Sequence, residues 1–254
     1  DNGIDRITTN APITYYTDFS GSVGTTYDIA FFENTLYLGS NTGIYYFENE
    51  ELRFVEGSQD HVWDLEVVDG ELLAGHNKGT FRVNKNKLEK ISMISGGYQL
   101  VKVPEKDKLY FQGTYTGISK FEKDENNEWS VNVISGVNFP VKQLCFETPN
   151  IVWVAHPYKG FFRLKLNNNL DEVIEKKAYE NDAIPNNYNV KVYNVKNQIV
   201  FYAEGIWYAY NAILDKIEVL EDFKSLLNNE LIYNDGEFFW FINNYSSRAI
   251  LGSL

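Results

Sequence analysis

Gly43-Ile-Tyr-Tyr-Phe47 is a glycine followed by an apolar, strand-forming run, and the phrase returns four times. The copies are Gly79-Thr-Phe-Arg-Val83, Gly117-Ile-Ser-Lys-Phe121, Gly160-Phe-Phe-Arg-Leu164 and Gly205-Ile-Trp-Tyr-Ala209, at intervals of 36, 38, 43 and 45 residues. A recurring interval of this length marks a repeat architecture. A second apolar run precedes each glycine, at 36–38, 72–74, 109–111, 151–154 and 199–202. Before it stand the turns Glu33-Asn34, Asp69-Gly70, Glu105-Lys106-Asp107, Thr148-Pro149-Asn150 and Lys196-Asn197, whose residues suit tight hairpins. The hairpins open with runs at 27–31, 62–67, 98–103, 141–146 and 189–193. A more polar fourth run follows the glycine strand, as at 52–55, 88–91 and 129–133.

A four-stranded antiparallel meander cannot bury both of its faces alone, so such units pack face to face around an axis. The fold class expected is therefore all-β: a β-propeller in one domain spanning residues 1–254, with about six blades visible. The sixth unit comprises Leu231-Ile-Tyr-Asn234, the turn Asp235-Gly236 and a strand at 237–242, with Asn243-Asn244-Tyr245 in place of the glycine turn and a last strand at 248–252. Residues 3–7 and 13–19 read as third and fourth strands without the two that should precede them. They are expected to complete the last blade, because closing the ring removes an unpaired edge. A six-bladed ring and part of a seven-bladed one both fit the count. Outside the rhythm lie a longer connection at 167–189 and a helical turn at 222–227.

Composition agrees with this reading and narrows the partners. Aromatics make up 16% of the chain and methionine occurs once, a bias that favours pleated sheets over helix bundles. The formal net charge of −12 opposes attraction to phosphate backbones or anionic lipid, so direct binding of nucleic acid by this segment is not expected. Cys145 is the sole cysteine and forms no internal disulfide, which leaves the redox compartment open; it reads as a buried strand residue. No apolar run reaches the roughly 20 residues of a membrane span. Asp1-Asn2-Gly3-Ile4 resembles neither a signal peptide nor a natural start, so the chain reads as an excised piece.

Catalytic constellations are weak. His76 and His156 fall at equivalent places after second strands, but His61 lies in another loop and a metal needs three or four converging ligands, so no metal or cofactor is assigned. Acidic pairs such as Glu50-Glu51, Asp171-Glu172 and Glu221-Asp222 sit on outer strands and connections, away from any paired-carboxyl geometry. Neither a Gly-x-Ser-x-Gly elbow nor a phosphate-cradling loop is present. The turns after the second strands should share one rim, which offers His76, Asn77, Lys78, Tyr115, His156, Tyr158, Lys159 and Glu204, with Asn41 and Thr42 beside them. That mixed polar and aromatic set suits a small polar ligand such as a saccharide. Trp63, Trp153, Trp207 and Trp240 are expected to pack between blades, and Trp129 to be more exposed.

Several phrases resemble the two-component regulator propeller family: Leu36-Tyr-Leu-Gly-Ser-Asn-Thr-Gly-Ile44, Ala74-Gly-His-Asn-Lys-Gly-Thr-Phe81, Gly113-Thr-Tyr-Thr-Gly-Ile118 and Trp153-Val-Ala-His-Pro-Tyr-Lys-Gly160. Members are sensory ectodomains of membrane-bound regulators common in Bacteroidetes. Their propellers precede a triple-tyrosine domain, a transmembrane helix and a cytoplasmic helix-turn-helix or histidine-kinase module. The resemblance implies a non-catalytic, periplasmic or otherwise extracytoplasmic sensing module that meets the membrane only through other parts of such a protein. It transfers no individual binding residue. The alternatives are an interaction scaffold, pairing with a second propeller or a dimer mate, and a propeller-type carbohydrate-active enzyme.

Overall fold

The computed structural model describes residues 18, 20–49, 51–179, 184, 185, 188–234, 238–243, 245, 246 and 249–252. Blade 1 contains β1 (Thr26–Phe32), β2 (Thr35–Ser40), β3 (Ile44–Glu48) and β4 (Glu51–Phe54). Blade 2 contains β5 (Val62–Val68), β6 (Glu71–His76), β7 (Gly79–Asn84) and β8 (Lys87–Ser92). Blade 3 has β9 (Leu100–Lys102), β10 (Leu109–Gly113), β11 (Ile118–Lys123) and β12 (Trp129–Val133). Blade 4 has β13 (Gln143–Thr148), β14 (Ile151–His156), β15 (Gly160–Leu166) and β16 (Val173–Ala178). Blade 5 has β17 (Lys191–Val195), β18 (Gln198–Ala203), β19 (Ile206–Asn211) and β20 (Lys216–Val219). Blade 6 shows β21 (Asn229–Asn234), β22 (Phe239–Asn243) and β23 (Ala249–Gly252) among the described residues. Every sheet is an antiparallel meander in chain order, which is the propeller architecture expected. The expected strand at 3–7, that at 13–19 apart from Asp18, and the turn at 235–236 lie outside the described residues, as does most of 182–187.

One expectation about the elements needs correction. The stretch at 167–189 is not wholly outside the rhythm, because its centre forms β16, the fourth strand of blade 4. Its Val-Ile-Glu-Lys-Lys-Ala sequence is polar, as an outermost strand touching solvent must be, and so lacks an apolar signature. Trp129 is half-buried, more exposed than Trp153 and Trp207 as expected, and its indole N–H donates to Glu71 Oε2 at 2.8 Å across the blade 2–3 seam, beneath the Lys123 ammonium.

The hairpin turns have the predicted chemistry. Glu33 and Asn34, and again Lys196 and Asn197, have positive φ at both central positions, the mirror-image turn that matches strand twist. Gly79 has φ +131°, and a Cβ there would stand 2.0 Å from the Ser92 carbonyl oxygen, so only glycine lets β7 leave its turn so close to the end of β8.

Five apolar clusters, one at each successive seam, form the core. Tyr37 and Ile44 of blade 1 meet Leu65 and Leu72 of blade 2, and Phe111 meets Leu144 across the blade 3–4 seam. Trp153 and Phe201 join blades 4 and 5, and Trp207 and Phe241 join blades 5 and 6. Trp153 and Trp207 therefore serve packing, as expected.

The first strand of each blade is innermost, and its free edge presents unpaired N–H groups to the axis. Polar side chains of the preceding blade satisfy them in sequence. Asp28 accepts from Leu65 N–H at 2.7 Å and Asp64 from Leu100 N–H at 3.1 Å. Gln99 accepts from Leu144 N–H and Gln143 from Val192 N–H, both at 3.4 Å. At the blade 5–6 seam a Lys191–Glu230 ion pair of 3.5 Å stands in the same place. This belt surrounds an axial channel of about 790 Å³ lined by first strands of all six blades.

Candidate functional site

The turns between second and third strands share one face of the disc with the loops that enter each first strand. Most turns on this face are fastened by the residue that closes the second strand. Ser40 Oγ accepts from Thr42 N–H at 3.2 Å, and Thr114 Oγ1 from Thr116 N–H at 3.3 Å. His76 and His156 occupy the same position and do the same work with Nδ1, which accepts from Lys78 N–H and Tyr158 N–H, each at 2.9 Å. With Nδ1 accepting, His76 holds its proton on Nε2 and donates it to the Ser58 carbonyl at 3.2 Å. Burial depresses the pKa of both rings, which favours these neutral tautomers. The two histidines are buried turn fasteners, and no group of three or more His, Cys, Asp or Glu able to hold a metal occurs among the described residues.

Three of the other rim residues converge. Asn77 Oδ1 accepts the Trp63 indole N–H at 3.2 Å and a short bond from the Tyr115 hydroxyl. Trp63 Nε1–H also reaches the Tyr115 oxygen at 2.9 Å. Asn77 Nδ2 donates to Asp60 Oδ1 at 2.7 Å, and Lys78 Nζ stands 3.8 Å from Asp60 Oδ2. Partial burial works against the Asp60 carboxylate, but hydrogen bonds from His61 and Asn77 hold its pKa below the ordinary value.

This network fixes an aromatic row that the sequence reading missed. Register shifts at Thr26/Asp28 and Val62/Asp64 place a bulge at the start of β1 and of β5, and the bulged residues are Tyr27 and Trp63. A bulge re-aims its side chain out of the pleat. Tyr27 and Trp63 accordingly stack on one another at 4.7 Å between ring centroids, His61 stacks on Trp63 at 4.9 Å, and Tyr98 continues the row at 5.5 Å. Tyr115 closes it edge-on to Tyr98 at 5.3 Å. Burial, with Tyr115 and Tyr158 nearby, pushes the Tyr98 phenol up to about 12, so it remains a neutral donor. Trp63 is thus a face residue rather than the blade-packing residue expected. The signal available in sequence was the Tyr or Trp preceding Asp28, Asp64 and Gln99.

Of the remaining rim residues, Tyr158 lies near Tyr98 at the end of the row, and the others stand apart from it. Tyr158 and Lys159 are exposed, with the Tyr158 ring 5.7 Å from Tyr188. Glu204 edges a separate cavity of about 440 Å³ beside Lys191 and Glu230. Asn41 and Thr42 tie the chain before β1 to blade 1, through Thr25 N–H to Asn41 Oδ1 at 2.7 Å and the Thr42 hydroxyl to Ser22 O at 2.8 Å. Below the row, the channel wall of blades 1 and 2 is acidic. Burial raises Asp28, burial and the charges of Asp28 and Glu66 raise Asp64, and burial with Asp28 pushes Glu66 up to about 7.

Neither a family model nor a curated protein sequence matches the chain. Solved structures do. The extracellular domain of BT3049 from B. thetaiotaomicron, described as a hybrid two-component system, superposes with a TM-score of 0.70 at 12% identity over 94% of this chain and 35% of that one. The extracellular domain of BT4673 from the same organism gives 0.59 at 12% identity, over 89% and 31%. An inactive virginiamycin B lyase from Staphylococcus aureus gives 0.57 at 9% identity, over 92% and 86%. The chain spans about a third of the length of the two extracellular domains. No helix among the described residues is long and apolar enough to cross a membrane. At these identities the likeness carries the fold: the chain is a β-propeller similar to the extracellular domains of B. thetaiotaomicron two-component systems.

Proposed function

We infer that the chain is a non-catalytic, extracytoplasmic sensing propeller of a transmembrane regulator, and that its small polar ligand rests on the Tyr27–Trp63–Tyr98 row. The observation that carries this reading is the pair of bulges, which turn two aromatics out of successive blades into one stacked surface. A flat, polar molecule such as a saccharide matches it, with one face against the rings and its hydroxyls toward Asn77, Lys78 and Asp60. The committed network among those residues supports binding over chemistry, since Asn77, Lys78 and His61 engage the Asp60 carboxylate and hold its pKa below the ordinary value, so that it serves as an acceptor fixed in place. The likeness to a lyase propeller makes turnover worth testing in the same samples. A thermal-shift screen with oligosaccharides, amino acids and peptides should find a ligand that stabilises the chain. At one hundred times its Kd the gain is about 2.7 kcal/mol, or roughly 5–10 °C. Trp63→Ala should abolish the shift while the variant still unfolds cooperatively. A ligand that shifts wild type and Trp63→Ala alike, or one that is consumed, would refute this assignment.

A further inference from the structure

The belt sets a register that can be carried from blade to blade. Asp28, Asp64, Gln99, Gln143, Lys191 and Glu230 each stand directly before the first apolar residue of the inner strand. One place earlier, blades 1 to 3 hold the aromatics of the row, Tyr27, Trp63 and Tyr98. Blades 5 and 6 hold Val190 and Asn229 there, and both are buried. Blade 4 holds Lys142, which is half-buried. The backbone repeats the equivalence: Tyr98 N–H donates to the Gly113 carbonyl at 2.8 Å and Lys142 N–H to the Ala155 carbonyl at 2.9 Å, each acceptor one residue before a turn fastener, Thr114 or His156. Around the mouth of the channel the row therefore passes from three aromatic rings to an ammonium.

That ammonium has no carboxylate of its own. Among the described residues no carboxylate lies within ion-pair distance of Lys142, and Glu230, whose charge it senses, is engaged by Lys191 at 3.5 Å. Burial and the Lys191 charge lower the Lys142 pKa, with Glu230 acting the other way. Lys159 adds an exposed ammonium on the turn that His156 fastens. Glu204, across the cavity beyond Lys191, is exposed and screened by solvent. In a chain of net charge −12, this side of the mouth thus holds a local surplus of positive charge, while Asp28, Asp64 and Glu66 wall the channel on the side of Tyr27 and Trp63. We propose that the ligand of the row is an acidic saccharide, with an uncharged ring on Trp63 and Tyr98 and a carboxylate or sulfate at Lys142. The inference rests on the row as the binding surface and gives it a polarity: the acidic wall repels an anionic group, Lys142 and Lys191 attract it, and the ligand lies in one direction. Carboxylate and sulfate share the chemistry that recognises them, charged oxygens accepting from N–H donors.

Titration calorimetry of the chain with trigalacturonic acid, a sulfated κ-carrageenan oligomer and neutral galactotriose tests this, the first two probes separating carboxylate from sulfate. At least one acidic probe should bind, and galactotriose should bind about tenfold more weakly or not at all. Lys142→Gln should lower the affinity for the acidic probe by about 10- to 100-fold. Its Tm should stay within about 2 °C of wild type or rise above it, because a charge repelled by Lys191 has gone. Lys142→Arg keeps the charge and should keep the probe. Raising the salt from about 20 mM to about 0.5 M should weaken the acidic probe in wild type and leave its residual binding to Lys142→Gln unchanged. Galactotriose bound as tightly as either acidic probe, or acidic binding that Lys142→Gln does not alter, overturns the acidic assignment and leaves the row standing. A Lys142→Gln protein that unfolds well below wild type makes Lys142 a packing residue and overturns it too. Acidic binding lost in Lys142→Gln but retained in Trp63→Ala overturns the row and this inference with it, as does binding of none of the three probes.

Discussion

Glu66 extends from β5 into the axial channel two residues beyond Asp64, facing Asp28 of the neighbouring blade. Burial and the Asp28 charge push its pKa from the ordinary 4.5 up to about 7. The folded state therefore holds this proton more tightly than the unfolded chain. Between about pH 4.5 and pH 7 the native protein binds more protons, and stability falls as pH rises. Asp28 and Asp64 are shifted in the same direction and add to the slope. Glu66 is open to solvent on its channel side, which screens its charge and keeps the effect small. The buried neutral His76 and His156, whose pKa values are lowered, act in the opposite sense over this range in any variant that keeps them. The test is therefore the difference: the urea midpoint of wild type should lose ground to that of Glu66→Gln as pH rises from 5 to 8, and a difference that stays constant removes the acidic wall from the account. Carboxylates adjacent in the chain, such as Glu221-Asp222, are the pairs that a sequence displays. The carboxylates that meet are Asp28 and Asp64, 36 residues apart, one per blade at the same place in the repeat. Only superposing the repeats brings such a pair into view.

Turns and bulges are the elements in which local sequence and global packing part company. The glycine after each second strand was legible because a positive φ with close backbone approach excludes other residues. Its strength differs from the glycine of a hairpin turn. Gly70 has φ +75° and nothing within 4 Å of an added Cβ, whereas Gly79 has φ +131° and the Ser92 carbonyl oxygen at 2.0 Å. Gly70→Ala should cost about 1 kcal/mol, the strain of the left-handed region alone. Gly79→Ala should cost about 3 kcal/mol or more, because β7 must also move away from β8. Equal losses in urea unfolding would mean that the close approach relaxes freely. Bulges leave no comparable mark. Trp63 and Trp153 both stand in apolar strands, yet Trp153 is wholly buried at the blade 4–5 seam while a bulge sends Trp63 to the face. The rim histidines show the converse. Their equivalence was visible, but their use as turn fasteners depends on N–H groups two residues on, to which a side-chain inventory is blind.

Across the whole molecule the repeat was legible because each blade must present the same apolar alternation to two neighbours, whereas the belt that links them rests on polar residues with no hydrophobic signature. The belt also shows how a ring of sheets handles its innermost edges: at four seams an inner-strand N–H, that of Leu65, Leu100, Leu144 or Val192, receives a side chain from the preceding blade. Carboxylates supply the acceptor at the first two seams, and neutral amides of Gln99 and Gln143 at the next two. Acceptance is thus the shared requirement, and negative charge is not. Asp64 separates the two properties, because its oxygen serves Leu100 N–H while its charge lies buried beside those of Asp28 and Glu66. Asp64→Asn keeps an acceptor and removes the repulsion, so at pH 8 it should leave stability unchanged or raise it. Asp64→Ala removes the acceptor and strands the buried N–H, a loss of about 1–3 kcal/mol. Raising the pH should widen the advantage of Asp64→Asn over wild type, since Asp28, Asp64 and Glu66 are then charged together. Combining Asp64→Asn with Glu66→Gln should give less than the sum of the separate effects, because each relieves the same repulsion. Chemical denaturation of wild type and these four variants at pH 5 and pH 8 decides the matter. If Asp64→Asn destabilises as much as Asp64→Ala at both values, the carboxylate is required for a reason other than its hydrogen bond, and the belt is not the interchangeable set of acceptors that its two glutamines indicate.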